Sequence, residues 1–346
     1  MTVDLISYAT ELADRVIGTG KGISRSEALT LTKLETESDI LHLCAQANRV
    51  REALCGRVVD LCSIVNIKSG NCSENCSFCS QSVHHLSPGS PVYGLQSPDY
   101  IVAKAKEAAE AGAKRFCLVS QGRGIKYNSP KAKEFEQILE TVTRIIQEVG
   151  IKPCCALGEL TLEQAQALKS AGVTRYNHNL ESSENFYPRI VSTHSWHDRV
   201  ATVKNLKQAG IQACTGGIIG MGESWEDRID LALALRELAV ESVPINFLNP
   251  RSGTPLENMP KISPYEALKT IAIFRLILPQ QILRYAGGRE AVMGELQALG
   301  LQAGINAMLV GNYLTTLGQP ASADHQMLAE VGLEGGEAPI PSHQIK

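Results

Sequence analysis

Residues 97–120 read SPDYIVAKAKEAAEAGAKRFCLVS and contain one full repeat of the chain's organisation. Ser97 is a suitable N-cap, and Pro98 falls at the first helical position, where its missing N–H is no loss. The run YIVAKAKEAAEA has helical spacing of its apolar residues, Gly112 stops it, and the β-rich run KRFCLVS follows at once. The unit recurs downstream. Thr161 and Gln164 form a capping-box pattern, Gly172 ends that helix, and VTRYNHN is the strand; Ser195 opens another helix that stops at Gly210 before IQACTGG. Upstream, VVDLCSIVNI at 58–67 is the first strand candidate. Adding IKPCCAL, VPINFL, QILRYAG and INAMLVG places eight strands at about 58, 114, 151, 173, 211, 243, 281 and 305. Eight strands alternating with helices predict an α/β fold with a parallel sheet, the TIM-type (β/α)8 barrel.

A chain of 346 residues suits that barrel as one undivided unit. Residues 1–55 are expected to form an N-terminal helical extension, 56–333 the barrel, and 334–346 a loosely ordered tail; NPRSGTPLENMPKIS reads as a long surface loop. Charged residues make up 20% and the net charge is −3, without the basic excess that nucleic acid or an anionic membrane calls for, so a small-molecule substrate is expected. Asp4, Glu11 and Asp14 precede Arg15, unlike a secretory signal, and the segment reads as an amphipathic helix. The most apolar later stretch, from Ile271 to Leu278, is broken by Arg275 and falls far short of the roughly 20 residues of a membrane span. These features predict a soluble, cytoplasmic protein. In such a reducing setting ten cysteines point to metal binding, catalysis or core packing more than to disulfides.

Three of them stand in Asn71-Cys72-Ser73-Glu74-Asn75-Cys76-Ser77-Phe78-Cys79, a C-x3-C-x2-C spacing in the loop after the first strand, on the face of a parallel barrel where substrates bind. Thiolate softness suits zinc and iron-sulfur clusters alike. A closed zinc site wants a fourth ligand, for which the loop offers only His84 or His85, whereas three cysteines on a four-iron cluster leave one iron open. Zinc and unligated core thiols stay as alternatives on the spacing alone. Phe78, an aromatic just before the third cysteine, makes the loop resemble the radical S-adenosylmethionine (SAM) enzymes, in which the aromatic packs near the adenine.

Further cysteines fall on separate strands: Cys117, Cys154 or Cys155, and Cys214, with Arg284 on another. Inward positions of a barrel converge on its axis, so these residues can form one site. Cys154 and Cys155 are adjacent and must face opposite ways; spacing does not choose between them. Asn177, Asn179 and Glu181 share one face at period two and read either as a polar pocket or as strand-exit turn chemistry. Cys44, Cys55 and Cys62 read as packing thiols.

NCSENCSFCSQS, RFCLVSQGRG, CCALGEL, RYNHNLESS, CTGGIIGMGE, SVPINFL, RYAGGRE and LVGNYLTT occur in this order, and over about residues 25–333 the chain resembles the biotin synthase family of radical SAM enzymes. The resemblance implies a sulfurtransferase that converts dethiobiotin to biotin, the last step of biotin biosynthesis. It implies that Cys72, Cys76 and Cys79 hold a [4Fe-4S] cluster that cleaves SAM, and that Cys117, Cys154, Cys214 and Arg284 hold a [2Fe-2S] cluster that donates the sulfur. It places Phe78, Asn179 and Glu181 against SAM, Asn177, Asn179 and Asn246 near the ureido ring of dethiobiotin, and Thr315 and Thr316 near its carboxylate. No side chain is expected to be catalytic by itself: two successive hydrogen abstractions by deoxyadenosyl radicals, each followed by carbon–sulfur bond formation, belong to the cofactors. A homodimer, a small electron-transfer protein as reductant and the iron-sulfur assembly machinery are the partners it implies. Two positions resist the transfer. Glu181 is one methylene longer than the aspartate expected there, and the Arg284 guanidinium, with a pKa above about 12, has no free lone pair for iron.

Overall fold

In the computed structural model, residues 4–85, 87–125, 132–311 and 318–339 are described. Three capped helices come first. The Asp4 carboxylate accepts from the Ile6 and Ser7 amides to start α1 (Leu5–Thr19), a Ser24–Glu27 capping box starts α2 (Arg25–Leu31), and Thr36 caps α3 (Glu37–Cys55). Their apolar faces join the main core, with α3 laid along α9 (Pro264–Ile277), the most buried helix of the chain.

The strands are β1 (Val58–Lys68), β2 (Arg115–Ser120), β3 (Lys152–Ala156), β4 (Arg175–Asn177), β5 (Gln212–Cys214), β6 (Gly217–Ile219), β7 (Ser242–Phe247), β8 (Ile282–Tyr285), β9 (Ala307–Leu309) and β10 (Glu334–Gly336). Every neighbouring pair is parallel, and β9 returns to β1 with Asp60 opposite Ala307 and Cys62 opposite Leu309, which closes the barrel. Helices α4 (Pro98–Glu110), α5 (Ala132–Glu148), α6 (Leu162–Ser170), α7 (Trp196–Gln208), α8 (Trp225–Glu237) and α9 wrap the outside. The expected starts of α4, α6 and α7 at Ser97, Thr161 and Ser195 are met, each with its side chain accepting an amide of the first turn.

The expected (β/α)8 barrel is present, with two additions. The run IQACTGG splits into β5 and β6 at Gly216, where a Cβ would overlap the Pro244 carbonyl oxygen, so the strand can pass this close only without a side chain. The tail was expected to be loose from 334, yet β10 pairs there with β1, Val58 opposite Glu334 and Asp60 opposite Gly336, and Ala338 is buried against Ile282 and Ala307. The structured chain thus reaches the bottom of the barrel. No helix among the described residues is long and apolar enough to cross a membrane.

Candidate active site

Strand pleating sorts the β1 side chains into two sets. Val59, Leu61 and Val65 pack in the main core between sheet and helices, while Cys62 and Ile64 line a cavity in the lumen of about 160 Å³. On β2 Cys117 and Val119 face the same cavity while Phe116 and Leu118 face the helices. On β3 the register sets Cys154 beside Cys117; Cys154 lines the cavity, and Cys155 points outward into the main core. The choice left open between these two is thereby made by the pleat. Cys214 reaches the cavity from β5 and Arg284 from β8. Cys62, expected to be a packing thiol, faces the lumen and packs with Cys117 and Cys154 in one small buried cluster. Cys44 and Cys55 do pack away from the lumen, their thiols toward the carbonyls of Leu268 and Pro279.

Beneath these thiols Asp60 is fully buried among three guanidinium groups. Arg284 Nη2 donates to its Oδ1, Arg175 Nη1 stands 3.4 Å from the same atom, and Arg115 Nε is 3.9 Å from Oδ2. Burial alone would push the Asp60 carboxyl up, but Arg284, Arg175 and Arg115 together hold it below its usual range. Arg115 has a second partner in Glu337, 2.8 Å away at the barrel floor. Three buried cations around one buried carboxylate leave this floor electropositive, an environment suited to a group that carries negative charge. The thiols above it respond. Cys117 and Cys154 share a hydrogen bond, and with Arg175 and Arg115 close by it is the Cys154 thiol that is held down while Cys117 is pushed up.

The C-x3-C-x2-C loop leaves β1 through Gly70 and Asn71, both in the left-handed region with φ of 74° and 52°. A Cβ at Gly70 would press on Val92, because Ser69 and Tyr93 exchange backbone hydrogen bonds there. The loop then folds on itself: the Cys72 amide donates to the Gln81 carbonyl, Val83 to Cys72, and Cys79 to Cys76. It is fastened to the segment after β4 by Ser77 on Ile190 and by Asn75 on Ser192 and Thr193. Burial pushes the Cys76 thiol up to about 12 and the Cys79 thiol up to about 11, so a metal must displace protons from them and loading favours higher pH. His84 and His85 direct their Nε2 atoms to the Ser73 and Cys76 carbonyls, 3.0 and 3.1 Å away, and serve the loop. Among the described residues no three His, Cys, Asp or Glu side chains close up around a point as the ligands of one ion would. With both histidines turned to carbonyls, the loop offers three thiols, the number that suits a four-iron cluster with one iron left open.

Between the two thiol sets lies a second cavity of about 310 Å³, lined by Phe78 and Cys79 at its mouth and sharing Ile64, Asn179, Asn246 and Leu309 with the lumen cavity beneath. Asn177 Nδ2 donates to the Cys214 carbonyl at 3.2 Å, and Asn179 Oδ1 accepts from the Gly216 amide at 3.2 Å. Asn246 spans Gly217 and Gly287, donating to one carbonyl and accepting from the other's amide. Period two holds only to Asn177, where β4 ends; Glu181 turns left-handed with φ of 66° as its backbone pairs with Gly217. Its Oε2 is buried without a hydrogen-bond partner, and burial raises its carboxyl against the pull of Arg199, 3.8 Å away. An acceptor orphaned in a cavity fits a ligand hydroxyl. Arg199 is in turn fixed by the Tyr187 hydroxyl, the Asn179 carbonyl and His194. Thr315 and Thr316 lie outside the described residues.

Sequence reading missed Asp60, Arg115, Arg175, Arg199 and the placement of Cys62. A charged residue two positions before a cysteine inside VVDLCSIVNI was the available signal, since both then share a strand face.

Comparison with known proteins gives the same answer from another direction. Residues 66–235 match the radical SAM superfamily and 244–334 the biotin and thiamin synthesis associated domain. Biotin synthase of Cyanothece sp. is 70% identical over 99% of this chain and 92% of that protein, and biotin synthase of Gloeothece citriformis is 72% identical over 98% and 94%. Among solved structures, methylornithine synthase superposes with a TM-score of 0.81 at 20% identity, covering 94% of this chain and 97% of that one, a likeness of fold. A closed parallel barrel, a cysteine loop at its mouth and identity of this extent along nearly the whole length lead to one conclusion: the chain belongs to the biotin synthase family of radical SAM enzymes.

Proposed function

We propose that the chain is a sulfurtransferase that inserts sulfur between two unactivated carbons of dethiobiotin to form biotin, with a radical-generating centre at the barrel mouth and a sulfur-donating centre in the lumen. One observation carries this reading: Cys79 of the mouth loop and the thiols of the lumen open onto two cavities that share a waist of four residues. Cys72, Cys76 and Cys79 would hold a [4Fe-4S] cluster with SAM, and Cys117, Cys154 and Cys214 a [2Fe-2S] cluster, with Arg284 at its border as the family resemblance implies. When bound, these groups supply a carbon radical able to take hydrogen from an unactivated C–H bond and a sulfide to replace it.

The chain's own residues bind, orient and enclose. Phe78 offers a ring face to the adenine at the mouth. Glu181 Oε2 accepts from a ribose hydroxyl, with Arg199 fixing the carboxylate from behind. The ureido ring has a carbonyl acceptor and two N–H donors, and primary amides offer both kinds of partner; Asn177, Asn179 and Asn246 stand around the waist where the ring would lie. Ile64 and Leu309, apolar and lining both cavities, keep water from a reactive carbon. Thr315 and Thr316 are assigned to the substrate carboxylate. A small electron-transfer protein as reductant, cluster assembly machinery, a homodimer and a cytoplasmic setting complete the reading.

The test is anaerobic incubation of cluster-reconstituted protein with reductant, SAM and dethiobiotin, followed by mass analysis. Biotin and 5′-deoxyadenosine are expected together. Deoxyadenosine without any sulfur-containing product, both clusters being verified, would remove the substrate assignment and leave a different radical SAM activity.

A further inference from the structure

β7 and the segment that follows it bring two polar side chains to different heights of the barrel. Asn246, inside the strand, lines both the lumen cavity and the cavity above it. Arg251, past the end of the strand in NPRSGTP, lines only the upper one. Its backbone is held in place there. The amide and the hydroxyl of the buried Thr254 both donate to the Arg251 carbonyl, at 3.1 and 2.7 Å. Glu257, the acidic residue nearest in sequence, turns instead to the Gly253 amide, from which it accepts at 2.8 Å.

Charge is scarce in the upper cavity. Among the described residues that line it, Arg251 is the one cation and Glu181 the one carboxylate. Glu181 already faces Arg199 at 3.8 Å. Among the described residues none makes an ion pair or a hydrogen bond with the Arg251 guanidinium. A guanidinium presents its donors as a planar fork, and the partner that matches the fork best is a carboxylate or a phosphate.

We infer that Arg251 binds the carboxylate of the substrate, so that β7 and the segment after it meet both ends of dethiobiotin, the ureido ring at Asn246 and the acid at Arg251. This rests on the reading of dethiobiotin as the substrate. Phe247 and Leu248, which lie between the two in sequence and line the same cavity, suit the aliphatic chain that joins ring and acid. The hydroxyl groups assigned to that acid are neutral, and a carboxylate that leaves water for a cavity calls for a cation. SAM has a carboxylate too, but it brings its own ammonium and sulfonium. Dethiobiotin is a net anion, and the free cation of the cavity complements it.

The test is equilibrium binding to the cluster-reconstituted full chain, with SAM present and reductant absent, using dethiobiotin and its neutral primary amide. The unaltered protein is expected to bind the acid roughly tenfold or more tightly than the amide. Arg251→Gln should abolish that preference by weakening the acid alone, Arg251→Lys should keep part of it, and the affinity for SAM should stay as it was in both. An unchanged affinity for the acid in Arg251→Gln overturns the inference. So does an equal loss for acid and amide, which would mark a change of shape and not of charge. Weaker SAM binding with the acid preference kept would move Arg251 to the cofactor and overturns it as well. The unaltered protein decides even if a variant does not fold, since equal affinity for acid and amide contradicts a cation at the acid. If the unaltered protein makes deoxyadenosine with reductant yet binds neither compound, the substrate reading itself fails.

Discussion

Glu181 is a buried carboxylate held in a left-handed backbone with one oxygen unpaired, an acceptor that a ligand donor would satisfy. Glu181→Gln keeps the shape and exchanges one acceptor for a donor. A hydrogen bond to a charged group is worth about 1.5–3 kcal/mol, so the KM for SAM is expected to rise roughly tenfold or more with a smaller change in kcat, read from initial rates against SAM concentration. An unchanged KM would mean that Glu181 does not meet the ribose. His194, close by, makes a different demand. Burial and Arg199 hold its imidazole down to about 4, whereas in the unfolded chain it takes its proton near the ordinary histidine value of 6.5. Its contribution to stability is thus intact above 6.5 and is lost as pH falls toward 4, where the unfolded chain has bound a proton that the folded one refuses. In the metal-free chain His194→Asn should flatten the fall of the unfolding free energy, read from urea titrations, across that window by on the order of 1 kcal/mol. At this scale the cysteine loop was readable because three soft ligands at tight spacing have few other uses. Cys62 was not, since alone in an apolar run it looks the same as Cys155; only the pleat and the closure of β9 on β1 tell them apart.

Among the elements, β10 shows where sequence reading stops. Glu334, Gly335 and Gly336 have no strand propensity of their own. They pair because β1 begins at Val58 while β2 joins it only from Cys62, which leaves a short edge open for a partner. Glu337 then fastens the segment, accepting from Arg115 at 2.8 Å and Lys152 at 2.6 Å. Glu337→Ala would leave the buried Arg115 with Thr174 and the crowded Asp60, and a loss of about 1–2 kcal/mol is expected from urea unfolding. A change within a few tenths would show the floor to be held by β10 alone. The helices and the other strands were legible because each carries its own signal, a capping side chain or a β-rich run, and needs no distant edge to define it. The split of β5 from β6 was not, since it depends on Gly216 passing the backbone of β7.

For the whole molecule, closure matters more than any one contact. Because β9 returns to β1, inward side chains from strands distant in sequence meet at graded depths: arginines and Asp60 at the floor, thiols above them, amides at the waist, and the cysteine loop at the mouth. Under the proposed function, that order would put a sulfur source on one side of a substrate-sized space and a radical source on the other. The most direct measurement is isotopic. The lumen cluster is reconstituted with heavy sulfide, excess sulfide is removed, and the chain is given SAM, reductant and dethiobiotin for a single turnover. Biotin carrying the heavy sulfur, with loss of label from the protein in the same amount, is the predicted result; biotin formed with ordinary sulfur while the lumen retains its label would contradict the account.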